Sequence, residues 1–400
     1  MVTGAHAKEE MPHLLAAFVA IGLALVVLAI GAMVAVHLER NTIVSTAPEV
    51  FSLKNQGLAF QRAAAQAANV LPVYGSSELL VPVAPERGNN FFRAAPTGFQ
   101  LSPVGNGGAN PLIMLQKISA LGSALSGKKL AISLSPGWFF GQKPGLQGYI
   151  GNFSPMAATE MVFGGALDFD IKRNIASRML EFPGALEDRP LLEFALRRLA
   201  SGRWVDRLVF CAVLPAGKAQ IALLELQDHL AALNYIRHQT KQVTRLQADT
   251  PDWPKLIAKA CQAKPTDVGK VETVSTVARQ ITAGSRDLGF RKGIETSLSW
   301  VDLELLLRSL ARVHAQPLIL SMPIGGDFYD HAGVSRSARE DYYAKLRALV
   351  QRYHFAVIEF EEHDKDPGFL IRHQSHLTAK GWVYYDRALD DFFHGRMPRS

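Results

Sequence analysis

Cysteine is almost missing from this 400-residue chain. Only Cys211 and Cys261 occur, far apart, in no C-x-x-C or zinc spacing. They leave the redox compartment open. The twelve histidines form no H-x-x-x-H with a carboxylate on a helix, so no metal site and no cofactor are expected. There is no basic run interleaved with aromatics, which argues against nucleic acid as a partner. There is no internal repeat, and no low-complexity tract beyond the alanine-rich patch at 63–68. Charge is absent from Leu14 to Val36, LLAAFVAIGLALVVLAIGAMVAV, roughly 23 residues. Such a run crosses a ~30 Å hydrocarbon core as a helix. A cleaved signal peptide is the competing reading, but its apolar region is normally about 7–15 residues. A buried soluble helix fits least. Flanking charge does not orient the span: Lys8 stands with Glu9 and Glu10 on one side, Arg40 beside Glu39 on the other. No second span is read, so the remainder is expected on one side of a membrane.

What is present is enough apolar residue, 48% against 20% charged, for a large core. Net charge is +7, with 43 Lys and Arg against 36 Asp and Glu, spread along the chain. That balance suits an anionic partner, such as a membrane surface or a polyanionic polymer. Residues 1–13 read as a tail, 14–36 as a transmembrane anchor, 37–60 as a polar stalk, and 61–400 as one α/β domain. Buried-strand candidates are NVLPVYG (69–75), KKLAISLSP (128–136), QPLILSMP (316–323) and HFAVIEFEE (354–362). Helices lie between them. Asn110 caps and Pro111 opens a helix carrying Leu112, Leu115, Ile118, Leu121 and Leu125. Ser299 with Asp302 reads as the cap of another, and Ser337 with Glu340 as a capping box. Strands alternating with helices imply a mainly parallel sheet covered on both faces. Residues about 155–295 read as a helical insertion or subdomain between its halves. Met156, Met161 and the phenylalanines near 139–170 are open to a lipid-facing reading, but core is favoured.

Ligands of an α/β sheet bind outside the carboxyl ends of its strands, so the turns after strands are where chemistry is sought. Ser76 and Ser77, in VYGSSELL, follow the first strand candidate. A serine there can project its hydroxyl at the top of the sheet, although GSSEL is not the G-x-S-x-G elbow. In VGNGGAN (104–110) the glycines, Gly107 and Gly108 among them, let backbone N–H groups approach a ligand, as an oxyanion hole requires; a flexible loop is the alternative. His376 precedes a helix that starts near Thr378 and buries Trp382, Tyr385, Leu389, Phe392 and Phe393. Packing that helix would fix His376 as a general base; taken alone, a surface or satisfied histidine is the favoured reading. Asp330 and His331, in FYDHAG, either bind substrate or cap a turn.

Taken together, PVYGSSEL (72–79), GNGG (105–108), GKKLAISLSPGWF (127–139), LEFP (180–183), SMPIGGDFYDHAG (321–333), SHLTAKGWVYYD (375–386) and the N-terminal anchor resemble the DltD family of D-alanyl-lipoteichoic acid biosynthesis proteins. That family is a branch of the SGNH hydrolase fold. The resemblance implies a single-pass cell-membrane protein with an extracytoplasmic domain. It implies a role in acylating an anionic envelope glycopolymer, with the acyl group received from a membrane-bound O-acyltransferase and an acyl carrier protein as a further possible partner. It implies Ser77 as nucleophile, with Ser76 in the place of the family pattern's aspartate, and His376 as catalytic histidine. The oxyanion would be held by backbone N–H groups of Ser77 and the 105–108 turn. Two departures stand out. The acid expected three residues before the histidine is replaced by His373, so Asp364, Asp366 and Glu362 become the acid candidates. SLSPGW also lacks the asparagine of the broader SGNH pattern. The leading expectation is a serine acyltransferase or esterase. The alternative is a non-catalytic adaptor that docks a membrane O-acyltransferase or acyl carrier to the polymer.

Overall fold

Five short apolar runs form the sheet of the computed structural model, which describes residues 6–81, 84–94, 96–140, 146–239, 250–262, 281–366, 368–371 and 376–397, with side chains from residue 13 onward. They are β1 (Val70–Gly75), β2 (Gln100–Gly105), β3 (Lys129–Leu134), β4 (Gln316–Ser321) and β5 (Ala356–Ile358). All pair in parallel, in the order β2-β1-β3-β4-β5. β2 goes beyond the apolar segment expected before the glycine turn. It holds Pro103, which has no N–H for a ladder, and it is tolerated because β2 is an edge strand. Pro72 lies in the second strand of the order, and there β1 pairs with β3 only beyond it, at Val73 and Tyr74.

Side chains alternate across the sheet with the period of two that a strand dictates. Leu71, Val73, Ala131, Leu318 and Leu320 face one core; Tyr74, Leu130, Ile132, Leu134 and Ile319 face the other. Among the helices are, in chain order, α1 (His6–Thr46), α2 (Ala59–Gln66), α3 (Pro111–Leu121), α4 (Pro155–Phe163), α5 (Phe169–Met179), α6 (Pro190–Ser201), α7 (Trp204–His238), α8 (Ser299–Arg312), α9 (Arg336–Gln351) and α10 (Ala379–Phe393). α10 lays Trp382, Tyr385, Leu389 and Phe392 on the first face, with Phe92, Phe99 and Phe369. The second face carries α3, α8 and α9, and the middle helices as well: Met161, Phe163, Ile175, Leu192 and Phe210 belong to the same core as Ile132. Met156 and Met161 are both buried there. The middle region therefore shares the sheet's core.

Helix starts follow local chemistry, with two corrections. Asn110 Oδ1 accepts the N–H of Ile113 at 3.0 Å, with Pro111 in the first turn of α3. α9 is capped by Ser335 rather than Ser337: its side chain accepts the N–H of Ala338, while Glu340 pairs with Arg336. Ser299 and Asp302 do not cap α8. Asp302 instead takes a buried two-pronged bond from Arg178 of α5, Nε to Oδ1 at 2.8 Å and Nη2 to Oδ2 at 3.0 Å. A planar guanidinium matches a carboxylate in this geometry, which outcompetes a cap.

Residues 37–60 are not a stalk. α1 runs to Thr46, a short helix spans Ser52–Gln56, and Glu39, Ile43, Ala47, Lys54, Leu58 and Phe60 are buried. Ile43, Phe51 and Phe60 pack with Ala232 and Tyr235 of α7. The apolar residues of this mixed segment suffice to dock it. α1 between His13 and Thr46 is long and apolar enough to cross a membrane, consistent with a single-pass anchor. By length and composition alone α7 also qualifies, where a single span was expected. One side of α7 is closed against protein: a Cβ on Gly217 would lie 2.1 Å from the Phe163 ring.

Candidate active site

The strand order reverses direction between β1 and β3, and such a switch point opens a crevice at the carboxyl ends. β1 ends there at Gly75, paired with Gly105 of β2. The backbones touch: a Cβ on Gly105 would lie 2.3 Å from the Gly75 carbonyl oxygen. Asn55 finishes the edge of β2, accepting the Gly105 N–H at 2.8 Å and donating to its carbonyl at 3.1 Å. Residues Ser77–Leu79 then form a single 3-10 turn.

The two serines point to different partners. Ser76 is buried and its hydroxyl donates to the Asn106 carbonyl at 3.3 Å. Ser77 Oγ lies 3.0 Å from Nε2 of His376. His376 is held by its neighbours. His376 and Leu377 pair antiparallel with Leu370 and Ile371, and Leu377 is fully buried. Thr378 caps α10, accepting the Gly381 N–H at 3.2 Å and donating its hydroxyl to the Gly368 carbonyl at 2.5 Å. Packing of α10 thus fixes the backbone next to the histidine.

Glu78 was not anticipated. It lies beneath the turn, 1% exposed, and its Oε1 accepts the Ser76 N–H at 2.8 Å. Burial pushes its carboxyl up to about 7, with the N–H groups of Ser76 and Glu78 pulling the other way. The glycine turn is open to solvent at Asn106, Gly107 and Gly108. Gly108 has φ +82°, which favours glycine, and its Cβ position faces Gly148 at 3.0 Å. Asn152 ties this turn to the helix Leu146–Asn152, donating to the carbonyls of Gly107 and Gly148 at 2.9 Å each. The Gly107 N–H is taken by the Asn106 side chain at 2.9 Å, whereas no acceptor for the Gly108 N–H occurs among the described residues.

The acid candidates are engaged elsewhere. Asp364 accepts from Arg339 Nε and Nη2 at 3.0 and 2.9 Å and from the Tyr343 hydroxyl at 3.1 Å. Burial raises its carboxyl and Arg339 counters that. Asp366 meets Lys380 Nζ at 2.6 Å and His363 Nδ1 at 3.1 Å. Burial would raise Asp366, but Lys380 and His363 hold it below the usual carboxylate range. Glu362 is exposed, 3.9 Å from His363. His373 lies outside the described residues. Asp330 bridges Arg339 at 2.7 Å and Lys365 at 2.8 Å, while His331 Nδ1 bonds to the Asp327 carbonyl of its own helix. Asp330, Arg339 and Asp364 thus form one ion network beside Gly326, in the segment that follows β4.

A doubly wound parallel sheet covered by helices makes this an α/β protein, with a serine after its first strand bonded to a histidine ahead of α10. The comparisons narrow that class. The family model described as DltD protein matches residues 47–394. Protein DltD of Bacillus subtilis (strain 168) is 29% identical over 345 residues, covering 84% of this chain and 86% of the relative. Protein DltD of Staphylococcus aureus (strain NCTC 8325 / PS 47) is 26% identical, covering 81% of each. Protein DltD of Lacticaseibacillus rhamnosus is 22% identical, covering 82% and 78%. This chain belongs to the DltD family.

Proposed function

We propose that this chain is a membrane-anchored acyltransferase or esterase of cell-envelope polymer acylation, with Ser77 as nucleophile and His376 as general base. The observation that carries the reading is the 3.0 Å contact between Ser77 Oγ and His376 Nε2. The family supplies the substrate class. DltD proteins belong to D-alanylation of lipoteichoic acid, so the acyl group is read as D-alanyl and the acceptor as a hydroxyl on an anionic glycopolymer. The net charge of +7 suits such an acceptor. The domain after α1 is placed outside the cytoplasm in this reading. A membrane-bound O-acyltransferase hands it the acyl group, with an acyl carrier protein upstream.

The chemistry divides into two transfers. Ser77 Oγ attacks the acyl carbonyl carbon as its proton passes to His376 Nε2. The tetrahedral oxyanion is met by the N–H groups of Ser77 and Gly108; the Gly107 N–H is already committed to Asn106. Collapse expels the donor's heteroatom, which leaves with the proton from His376, and an acyl ester remains on Ser77. A polymer hydroxyl, deprotonated by His376, then attacks that ester and releases Ser77. Water in its place gives hydrolysis.

A serine-reactive fluorophosphonate tests this reading. Labelling is expected in the wild type and in Ser76→Ala, and is expected to vanish in Ser77→Ala and His376→Ala. Absence of labelling in folded wild type would overturn it. His373, standing where the family pattern has its acid, favours a second reading, an adaptor that docks the O-acyltransferase or acyl carrier to the polymer. A blank with folded, membrane-bound protein would support that adaptor.

A further inference from the structure

α7 is the longest helix after the anchor, 35 residues, and its two sides differ sharply. Asp206, Phe210, Gly217, Ile221 and Ala232 are its buried residues. On the opposite side run Trp204, Leu208, Cys211, Pro215, Ala219, Ala222, Leu226 and Leu230. Each step is three or four residues, so they form one stripe down the helix. Trp204 is 73% exposed, Leu208 59% and Leu230 58%. No charged residue interrupts this stripe.

Charge on α7 is sorted by sign. Its acids turn inward to partners: Asp206 to Arg198 at 2.7 Å, Glu225 to Arg62 at 2.6 Å, and Asp228 to the N–H groups of Leu58 and Ala59 at 2.7 and 2.8 Å. The exposed charges along the helix and just before it are cations: Arg203, Arg207, Lys218 and Arg237. An apolar stripe bordered only by cations matches an anionic bilayer interface.

The anchor says which surface lies nearby. Met33, Val34 and Leu38 of α1 are exposed apolar residues, while Ala35, Glu39 and Ile43 are buried. Glu39 meets His229 Nδ1 of α7 at 2.7 Å, and Ile43 packs with Ala232. Contact with α7 therefore begins where the lipid-type face of α1 is ending. We propose that α7 lies on the surface of the anionic bilayer that α1 crosses, with the Trp204–Leu230 stripe dipped into its headgroup region. It lies on the bilayer because its other side is closed by Phe163 and by three carboxylates paired to protein. The soluble domain then has a second attachment and a defined face toward the lipid.

The two exposed cysteines provide the test, since Cys211 is in the stripe and Cys261 is not. Full-length Cys261→Ser would carry an environment-sensitive fluorophore on Cys211. It would be reconstituted into phosphatidylcholine–phosphatidylglycerol vesicles with acyl chains brominated near the headgroup or near the bilayer centre. Shallow bromines are expected to quench the Cys211 label roughly twofold or more, and to leave a Cys261 label in Cys211→Ser unchanged. Leu208→Glu with Leu230→Glu, or Arg203→Glu with Arg207→Glu and Lys218→Glu, should release the quenching while α1 keeps the protein in the vesicle fraction. A Cys211 label that stays in water overturns the proposal. Stronger quenching by deep bromines also overturns it, since α7 would then span. Concentration-dependent shielding in detergent without lipid overturns it in favour of a second copy of the chain.

Discussion

The backbone N–H of Ser76 donates to Oε1 of Glu78, so a side chain after Ser77 pins the backbone before it. The sign of the resulting pH dependence is fixed. Burial raises the Glu78 carboxyl from 4.5 to about 7, so the folded state holds a proton that the unfolded chain gives up. Its contribution is full below pH 4.5 and is lost as pH rises through about 7. At about 1.4 kcal/mol per pH unit, the wild type loses up to ~3 kcal/mol across that window. Glu78→Gln keeps an acceptor for Ser76 but removes the titration. Urea unfolding at pH 5 and pH 8 should show the variant gaining on the wild type at the higher pH. Equal pH slopes for the two proteins would refute the assignment.

The contact between the two strand-end glycines predicts a sharp contrast between close neighbours. A Cβ on Gly105 would strike backbone, the Gly75 carbonyl oxygen, which cannot rotate away. Gly105→Ala should destabilise by about 1–3 kcal/mol, as overpacking does. A Cβ on Gly107 meets no heavy atom within 4 Å. Gly107→Ala should stay within about 0.5 kcal/mol of wild type, as exposed substitutions do. Chemical unfolding of both variants decides it; similar losses would contradict the strand-end geometry.

Arg178 and Asp302 form a buried ion pair that ties α5 to α8. Removing the Asp302 carboxylate leaves the buried guanidinium only the half-exposed Glu181 as an ionic partner, so Asp302→Ala should cost about 3 kcal/mol. Replacing both, with Arg178→Met and Asp302→Leu, removes the under-paired buried charge, leaves Glu181 to solvent, and should recover most of that loss. If the double variant is no more stable than Asp302→Ala, packing rather than charge governs the site.

What could be read beforehand was local. The runs that became β1, β3, β4 and β5 are apolar and bounded by glycine, proline or charge. Asn110 and Thr378 mark their helices because a cap is decided within four residues. Ser76 and Ser77 lie beside such a signal, as does His376, but only the family pattern separated Ser77 from Ser76. β2 was harder, since Pro103 argues against a strand until it is known to be at the edge. The burial of residues 37–60 depends on α7, far away in the chain. Glu78 looks solvated in SSELL, and Asp302 looks like a cap, until distant elements close over them. Long-range burial of a charge leaves no mark in its own neighbourhood.

Ser77 and His376 are separated by 299 positions, with the histidine delivered by the last helix of the chain. Synthesis runs from the N-terminus, so the serine exists long before its partner. A chain cut short before His376 carries Ser77 without its histidine partner and lacks the helix that covers one face of the sheet. Closure of that face of the sheet and pairing of Ser77 with His376 thus depend on the same late-made stretch of chain.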